Sequence, residues 1–267
     1  MTTPEPAQAW AQPQPVKAPT LDPDAYALAD VLRTLIALGS FTTARSTQVS
    51  LGSSEAGHPC DRRLAYKLRR SDPATSTAWT TAQVQQQPAH ANLRDPLRAL
   101  VGSGFHAAVA EIFTRLDGGS GRFLVESSVE YRGTPGTADL YDRWTGTVID
   151  WKSSLKSKIS HIRRDGPSAQ YLTQVQLYGA ALKARGEDVR TVALAWVPVD
   201  GELSGVYVWR APFDQTVADE AIDRLVRLRG LPPEKARATP DRLCPWCSHY
   251  LPGSTDLTIG CPGEVKK

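Results

Sequence analysis

Apolar positions along the chain fall into two patterns. Stripes at three- and four-residue steps mark helices, and short runs of β-branched and aromatic residues mark strands. Ala25, Leu28, Val31, Leu32, Leu35 and Ile36, opened by Asp22-Pro23 and stopped by Gly39, predict a first helix. A basic helix is expected over Asp61 to Arg70. Leu97, Val101, Phe105, Val109, Ile112 and Leu116 share a stripe and predict a helix from Asp95 to Leu116. Strands follow over Phe123–Tyr131, Thr137–Trp144 and Thr147–Lys152, then a helix over Ala169–Ala184. Strands over Val189–Val197 and Gly205–Arg210 and an amphipathic helix from Pro212 to Arg229 complete the pattern. That order predicts an α/β fold: a mixed central sheet flanked by helices, with an N-terminal helical layer.

Segments without period frame these elements. Residues 1–20 are rich in Pro, Gln, Ala and Thr and read as a disordered lead. Residues 71–93 are polar and read as a long loop. Four parts are therefore expected: the lead at 1–20, a helical layer with the first cysteine and the polar loop at 21–93, a core at 94–230, and a cysteine-rich tail at 231–267. No run is apolar enough to span a membrane, and no basic-then-apolar start reads as a signal peptide, so a cytoplasmic location with no membrane partner is expected. A formal net charge of +3 is too small to argue for nucleic acid by itself.

The candidate chemistry sits on a hairpin. Thr145-Gly146 suits a two-residue turn that pairs Trp144 with Thr147 and sets Asp139 opposite Lys152. Asp150, two residues from Lys152, points to the same face. Two carboxylates and an ammonium on one patch can bind Mg²⁺ or Mn²⁺ through hard oxygens, activate water and offset charge on a phosphate. The ordinary alternative is a surface ion-pair cluster, worth little. An acid-x-Lys triplet is weak evidence alone, and Glu264-Val265-Lys266 is a second one, in a polar tail. His106 lies on the flank of its helix's apolar stripe, as a partly buried histidine or a metal ligand. Gln174 and Tyr178, four apart, share a helix face.

Taken in order, GSGFH (102–106), GTAD (136–139), DWK (150–152) and QVQLY (174–178) resemble the motifs of the RecB-like PD-(D/E)XK nucleases, whose fold is restriction-endonuclease-like. The resemblance implies that His106, Asp139 and Asp150 hold the catalytic metal with help from the backbone carbonyl of Trp151. It makes Lys152 the catalytic lysine and has Gln174 and Tyr178 position it and the DNA. An acid on the preceding strand sometimes contributes in such enzymes; Glu126 and Glu130 are both candidates.

Four cysteines in a reducing compartment suit ligands better than disulfides. Cys60 lies upstream, with Cys244, Cys247 and Cys261 near the end. This layout, and the setting CDRRLAYKL around Cys60, resemble the iron–sulfur branch of the family: the AddB nuclease domain and the Cas-four exonucleases. That resemblance implies a [4Fe–4S] cluster on the four thiolates. The gap from Cys247 to Cys261 is longer than usual there, which Pro252-Gly253 and Gly260 could accommodate as a loop. Structural zinc, with His249 able to replace one thiolate, is the alternative.

Two basic groups are candidate phosphate contacts: Arg62, Arg63, Lys67, Arg69 and Arg70, and Lys156, Lys158, His161, Arg163 and Arg164. Arg224, Arg227 and Arg229 read as the wet face of their helix, and Trp79 as a loop aromatic that could stack on a base. The expectation is a metal-dependent DNA exonuclease acting on single-stranded ends, 5′ to 3′ by resemblance. Phage or mobile-element recombination, DNA repair and CRISPR adaptation all suit it, with a recombination, helicase or adaptation partner and, if phage-encoded, the host cytoplasm as its place. Its rivals are a catalytically idle nuclease-fold DNA-binding protein and a zinc-ribbon interaction module.

Overall fold

A computed structural model describes residues 23–40, 51–71 and 97–263. The lead 1–20, the polar loop with Trp79, the side chain of Arg70 and the Glu264-Val265-Lys266 triplet lie outside the described residues, save that the loop's first residue ends a helix.

The elements are α1 (Pro23–Ser40), α2 (Ser53–Ala56, one turn), α3 (Asp61–Ser71), α4 (Leu97–Asp117), β1 (Phe123–Tyr131), β2 (Thr134–Asp142), β3 (Thr147–Ser154), α5 (Lys156–Asp165), α6 (Ala169–Ala184), β4 (Thr191–Pro198), β5 (Tyr207–Pro212) and α7 (Gln215–Arg229). The strands form one sheet in the order β1-β2-β3-β4-β5. All neighbours are antiparallel except β3 and β4, whose parallel pairing needs the crossover that α5 and α6 supply. This is the mixed sheet flanked by helices that the restriction-endonuclease-like resemblance implies.

Helix α6 is the centre of the molecule. Gln174 through Leu182 are buried without a break, because both sides of the helix are covered. Val175, Tyr178, Ala181 and Leu182 join Tyr141, Val148, Val192 and Leu194 of the sheet. Leu177 and Ala180 join Leu64 and Leu68 of α3 and Ile222 and Leu225 of α7. The two glutamines inside this run are satisfied: Gln176 Oε1 accepts from the Asp214 amide at 2.9 Å, and Gln174 bonds Lys152 and Tyr178. On the other face of the sheet, Phe113 of α4 packs edge-on against Phe123 at 5.1 Å and beside Trp151 at 5.7 Å. The apolar stripe of α1 (Leu28, Val31, Leu32, Leu35, Ile36) is exposed and enters neither core cluster.

The hairpin register differs from the one expected. Asp142 pairs with Thr147, Tyr141 with Val148 and Leu140 with Ile149, so the turn runs over 143–146 and not Thr145-Gly146 alone. The cause is Asp142. Its carboxylate accepts from the Trp144 amide (3.1 Å) and Thr145 Oγ1 (3.0 Å), and Arg122 grips it at 2.8 and 3.0 Å. An aspartate bonded to the backbone two residues on starts a turn where it stands. Asp139 and Asp150 therefore each stand one residue past the last pair, and Asp139 is not paired with Lys152. The slip is two residues, an even number, so no side chain changes face. The basic stretch after β3, without a sequence assignment, is helix α5, whose Ile159 is buried and whose C-terminus closes on Gly166 at φ +80. The residues before Cys60, expected as loop, include the turn α2. The strands expected to start at Val189 and Gly205 start at Thr191 and Tyr207, and the last helix starts at Gln215 because Asp214 caps it through Thr216 N (2.9 Å).

Candidate active site

Three adjacent strands each bring an acid to one cleft. Glu126 lies between the pairs Val125–Leu140 and Ser127–Ala138, and Asp139 and Asp150 each stand one residue past the last β2–β3 pair, Leu140–Ile149. Glu126 holds a left-handed φ of +46, which is costly for a non-glycine residue. Such strain is tolerated chiefly where a site needs it. The ladder between β2 and β3 ends at Leu140 and Ile149, and there the Asp139 carboxylate accepts the Trp151 amide at 2.8 Å.

Helix α4 brings His106 to this point. Its Nδ1 lies 3.4 Å from Asp139 Oδ1 and 3.9 Å from Glu126 Oε1. One ligand atom from each of His106, Glu126 and Asp139 lies within 4.8 Å of the other two. Hydrogen bonding to Asp139 and Glu126 raises the His106 pKa to about 9 against the opposing effect of burial. Glu126 is thus the acid that joins the group; Glu130, exposed and opposite Pro135, does not.

Asp150 is 1 % exposed. Burial pushes its carboxyl upward, and the nearby Lys152 ammonium opposes that. Lys152 Nζ stands 2.7 Å from Asp150 Oδ2. The ammonium thus supplies the counter-charge to a buried carboxylate. The same Nζ donates to Gln174 Oε1 at 3.0 Å and lies 4.5 Å from the ring centre of Tyr171. Gln174 Nε2 in turn donates to Tyr178 Oη at 2.8 Å, which fixes the amide so that its oxygen faces the lysine. These residues line a cleft of about 900 Å³, with Ser53 and Ser54 of α2, Ser103 of α4 and Lys158 of α5 at its walls.

Gly136 holds this chain in place. A Cβ there would meet Tyr178 Cε1 at 2.7 Å and Ser53 Oγ at 2.8 Å. Gly136→Ala is expected to cost about 1–3 kcal/mol by overpacking and to move Tyr178, and through Gln174 the lysine. Thermal melts check this: the midpoint of Gly136→Ala falls by several degrees.

The four cysteines line a second cavity of about 330 Å³ with His58, Arg63, Tyr66 and His249. The long gap before Cys261 closes as the sequence allows. Tyr250 bridges to Cys261, the Leu251 amide donates to Cys261 O and the Cys261 amide to His249 O, each at 2.8 Å. Gly263, at φ +74, packs where a Cβ would strike Tyr250 and Cys244. Backbone amides approach two sulfurs, Thr239 N at 3.5 Å from Cys60 Sγ and Asp241 N at 3.3 Å from Cys244 Sγ. Burial pushes the Cys247 thiol up, and burial and Arg63 hold His58 down at about 4, where its Nδ1 accepts the Cys60 amide. His249 is buried and stacks on Tyr66 at 4.8 Å. No three of the thiols gather as tightly as the His106 group, the one such gathering among the described residues.

The basic candidates divide. Arg62 donates to Pro233 O and Ala236 O, Arg63 to His58, and Lys67 pairs with Glu55, so these three serve the packing of α3. Arg224, expected on a wet helix face, instead ties α7 to Asp61 and the His58 carbonyl. On α5, Arg164 pairs with Asp165 and touches His161, and Arg163 lies over Tyr207 at 5.2 Å. Lys156 is exposed and Lys158 lines the cleft. Sequence reasoning missed Tyr171, although its spacing from Gln174 and Tyr178 puts all three on one helix face. It also missed Ser53 and Ser54, for which a four-residue helix leaves no periodic signal.

No family model matches the chain, and no curated protein does. Among solved structures it is similar to SSO0001, at 15 % identity and a TM-score of 0.45, over 83 % of this chain and 93 % of that one. It is also similar to the alkaline exonuclease LHK-Exo from Laribacter hongkongensis, at 12 % identity and a TM-score of 0.41, over 67 % of this chain and 86 % of that one. A phage-related exonuclease from Haemophilus somnus 129PT is similar at 12 % identity and a TM-score of 0.36, over 67 % of this chain and 92 % of that one.

Proposed function

We propose that this chain is a metal-dependent DNA exonuclease that hydrolyses phosphodiester bonds at single-stranded ends. One observation carries the proposal: His106, Glu126 and Asp139 gather their ligand atoms within 4.8 Å in the cleft that also holds the buried Asp150 carboxylate and its lysine. An imidazole and three carboxylates form a hard donor set suited to Mg²⁺ or Mn²⁺. His106, Glu126, Asp139 and Asp150 would hold the ion with the Trp151 carbonyl, and the bound ion would polarise the phosphate and acidify a water. Lys152, oriented by Gln174, would donate to the charge that develops on the phosphoryl oxygens. Lys158 at the rim would take a neighbouring phosphate. The 5′ to 3′ direction, and a role in phage or mobile-element recombination, DNA repair or CRISPR adaptation, rest on the motif resemblance alone.

The cysteine cavity is assigned to a [4Fe–4S] cluster. The layout of the four cysteines, which resembles the iron–sulfur branch, carries this assignment, and structural zinc is the alternative. The cluster would tie α3 to the tail.

The test is a gel assay on end-labelled single and double strands, with Mg²⁺, Mn²⁺ or EDTA. Cleavage that EDTA abolishes is the expected result; DNA binding without cleavage would establish the idle reading instead. The assay also carries a pH prediction. A proton on His106 must leave before the imidazole can hold a metal, and its pKa is raised to about 9 by the carboxylates it faces. At limiting Mg²⁺ the rate should therefore climb with pH toward about 9, by up to about tenfold per pH unit for a single released proton. Saturating Mg²⁺ should move the rise to lower pH. A rate that is flat from pH 6.5 to 9 at limiting metal would remove His106 from the ligand set.

A further inference from the structure

We propose that Tyr171 is a positioning residue for Lys152: the face of its ring holds the lysine ammonium in the orientation that serves the scissile phosphate. The proposal rests on the nuclease reading and deepens it. The ammonium is surrounded on three sides. Asp150 Oδ2 is 2.7 Å away, Gln174 Oε1 accepts at 3.0 Å, and the centre of the Tyr171 ring lies at 4.5 Å. A ring face attracts a cation through its quadrupole and takes no N–H in a directed bond. The ring can therefore steady the ammonium and leave a proton free for a phosphate oxygen, which another carboxylate or amide would not.

The ring is itself well placed to act this way. Tyr171 stands in the first turn of α6, where its amide meets the capping hydroxyl of Ser168 at 3.4 Å. Tyr171, Gln174 and Tyr178 follow one another at three- and four-residue steps, so one helix face carries the whole support of the lysine. Tyr171 also packs against the sheet core, which limits the motion of its ring. Lys152 sits on β3 with an unbranched flexible stem. Without the ring, Asp150 and Gln174 would hold the ammonium from two sides only, and the third side would open to the cleft.

The test compares Tyr171→Leu, Tyr171→Phe and the wild type on a labelled strand at saturating metal. Tyr171→Leu should lower kcat about tenfold and leave KM within about twofold. Tyr171→Phe, which keeps the ring and drops the hydroxyl, should restore most of that loss. A Leu variant with wild-type kcat overturns the proposal. So does a loss that Phe fails to restore, since the hydroxyl would then be the active part. A rise in KM at constant kcat overturns it too, because the ring would then be holding the substrate. A second measurement separates this idea from the nuclease reading. In protein carrying ¹³C-labelled lysine, the Lys152 ε-methylene, assigned by its absence in Lys152→Ala, should show an upfield ring-current shift in wild type and Phe and lose it in Leu. If the wild type cuts nothing, the nuclease reading fails and the kinetic role with it; the shift then still shows whether the ring holds the ammonium, and an unshifted signal rejects the placement whatever the activity.

Discussion

Asp150→Asn is expected to reduce metal-dependent cleavage by about 10³-fold while leaving the metal-free protein at least as stable as the wild type. Lys152→Ala should match it in activity and differ from it in stability. The asymmetry follows from burial. Asp150 is 1 % exposed and its carboxyl is pushed upward by that burial, so without metal it is a charge held at a cost. Asparagine removes the charge and keeps the volume. Lys152 is not stranded by this change, because Gln174 Oε1 still accepts from it and its Nζ borders an open cleft. Lys152→Ala does the reverse and leaves a buried carboxylate without its counter-ion, the costly way to break such a pair.

The sign of the pH effect is fixed. An acid whose folded pKa lies above its unfolded value binds more protons when folded, so stability falls as pH rises through the interval between the two. Metal-free Lys152→Ala, in which the lowering influence of the ammonium is gone, should therefore melt several degrees low at neutral pH and recover as the pH is lowered through that interval. Mg²⁺ should also restore it by supplying the missing positive charge. Single-turnover cleavage and thermal melts with and without Mg²⁺ read all four outcomes. Equal melting losses in both variants, with no recovery in Mg²⁺, would make the pair a packing feature and nothing more.

The part of the site that depends on parity was legible in the sequence. Asp139, Asp150 and Lys152 share a face for any hairpin register shifted by an even number of residues, and the register did shift by two when Asp142 fixed the turn. Gln174 and Tyr178 were legible for the same kind of reason, a helical spacing of four. What parity cannot resolve stayed open. Glu126 and Glu130 have the same parity in sequence, and what separates them is the left-handed backbone at Glu126, which interrupts the alternation of β1. The roles of Arg62 and Arg224 were hidden because their partners are carbonyls and a carboxylate far away in sequence, at Pro233, Ala236, His58 and Asp61. Charge reveals that a residue can bind phosphate. It does not reveal that its donors are already in use.

Replacing one of the cysteines should produce the largest change in stability. Cys60→Ser or Cys244→Ser is expected to abolish the brown colour of anaerobically purified protein, with its broad absorption near roughly 400 nm, and to lower the melting temperature by about 10 °C or more. The reason is how little else orders the tail. After Ala236, itself part of the core between α3 and α7, the described residues up to 263 add no member to either core cluster. Their path is set by turns, by the bridge from Tyr250 to Cys261, by amides that point at sulfur, and by Tyr66, which stacks on His249 and donates to the Leu257 carbonyl. Such a segment cannot offset its own ordering entropy through apolar burial. A group bound by four thiolates can, because its binding free energy appears only in the folded state. Limited proteolysis should then cut these variants beyond about residue 240 and spare the sheet. The catalytic cleft gives a further contrast: α2, which supplies Ser53 and Ser54 to its wall, lies just before Cys60. Loss of the cluster should therefore also slow cleavage, by less than Asp150→Asn does. Colourless wild type carrying one zinc per chain would replace the cluster with zinc and keep the tie. Wild type with neither metal, and melting unchanged on Cys244→Ser, would reduce the cavity to a pocket lined with thiols.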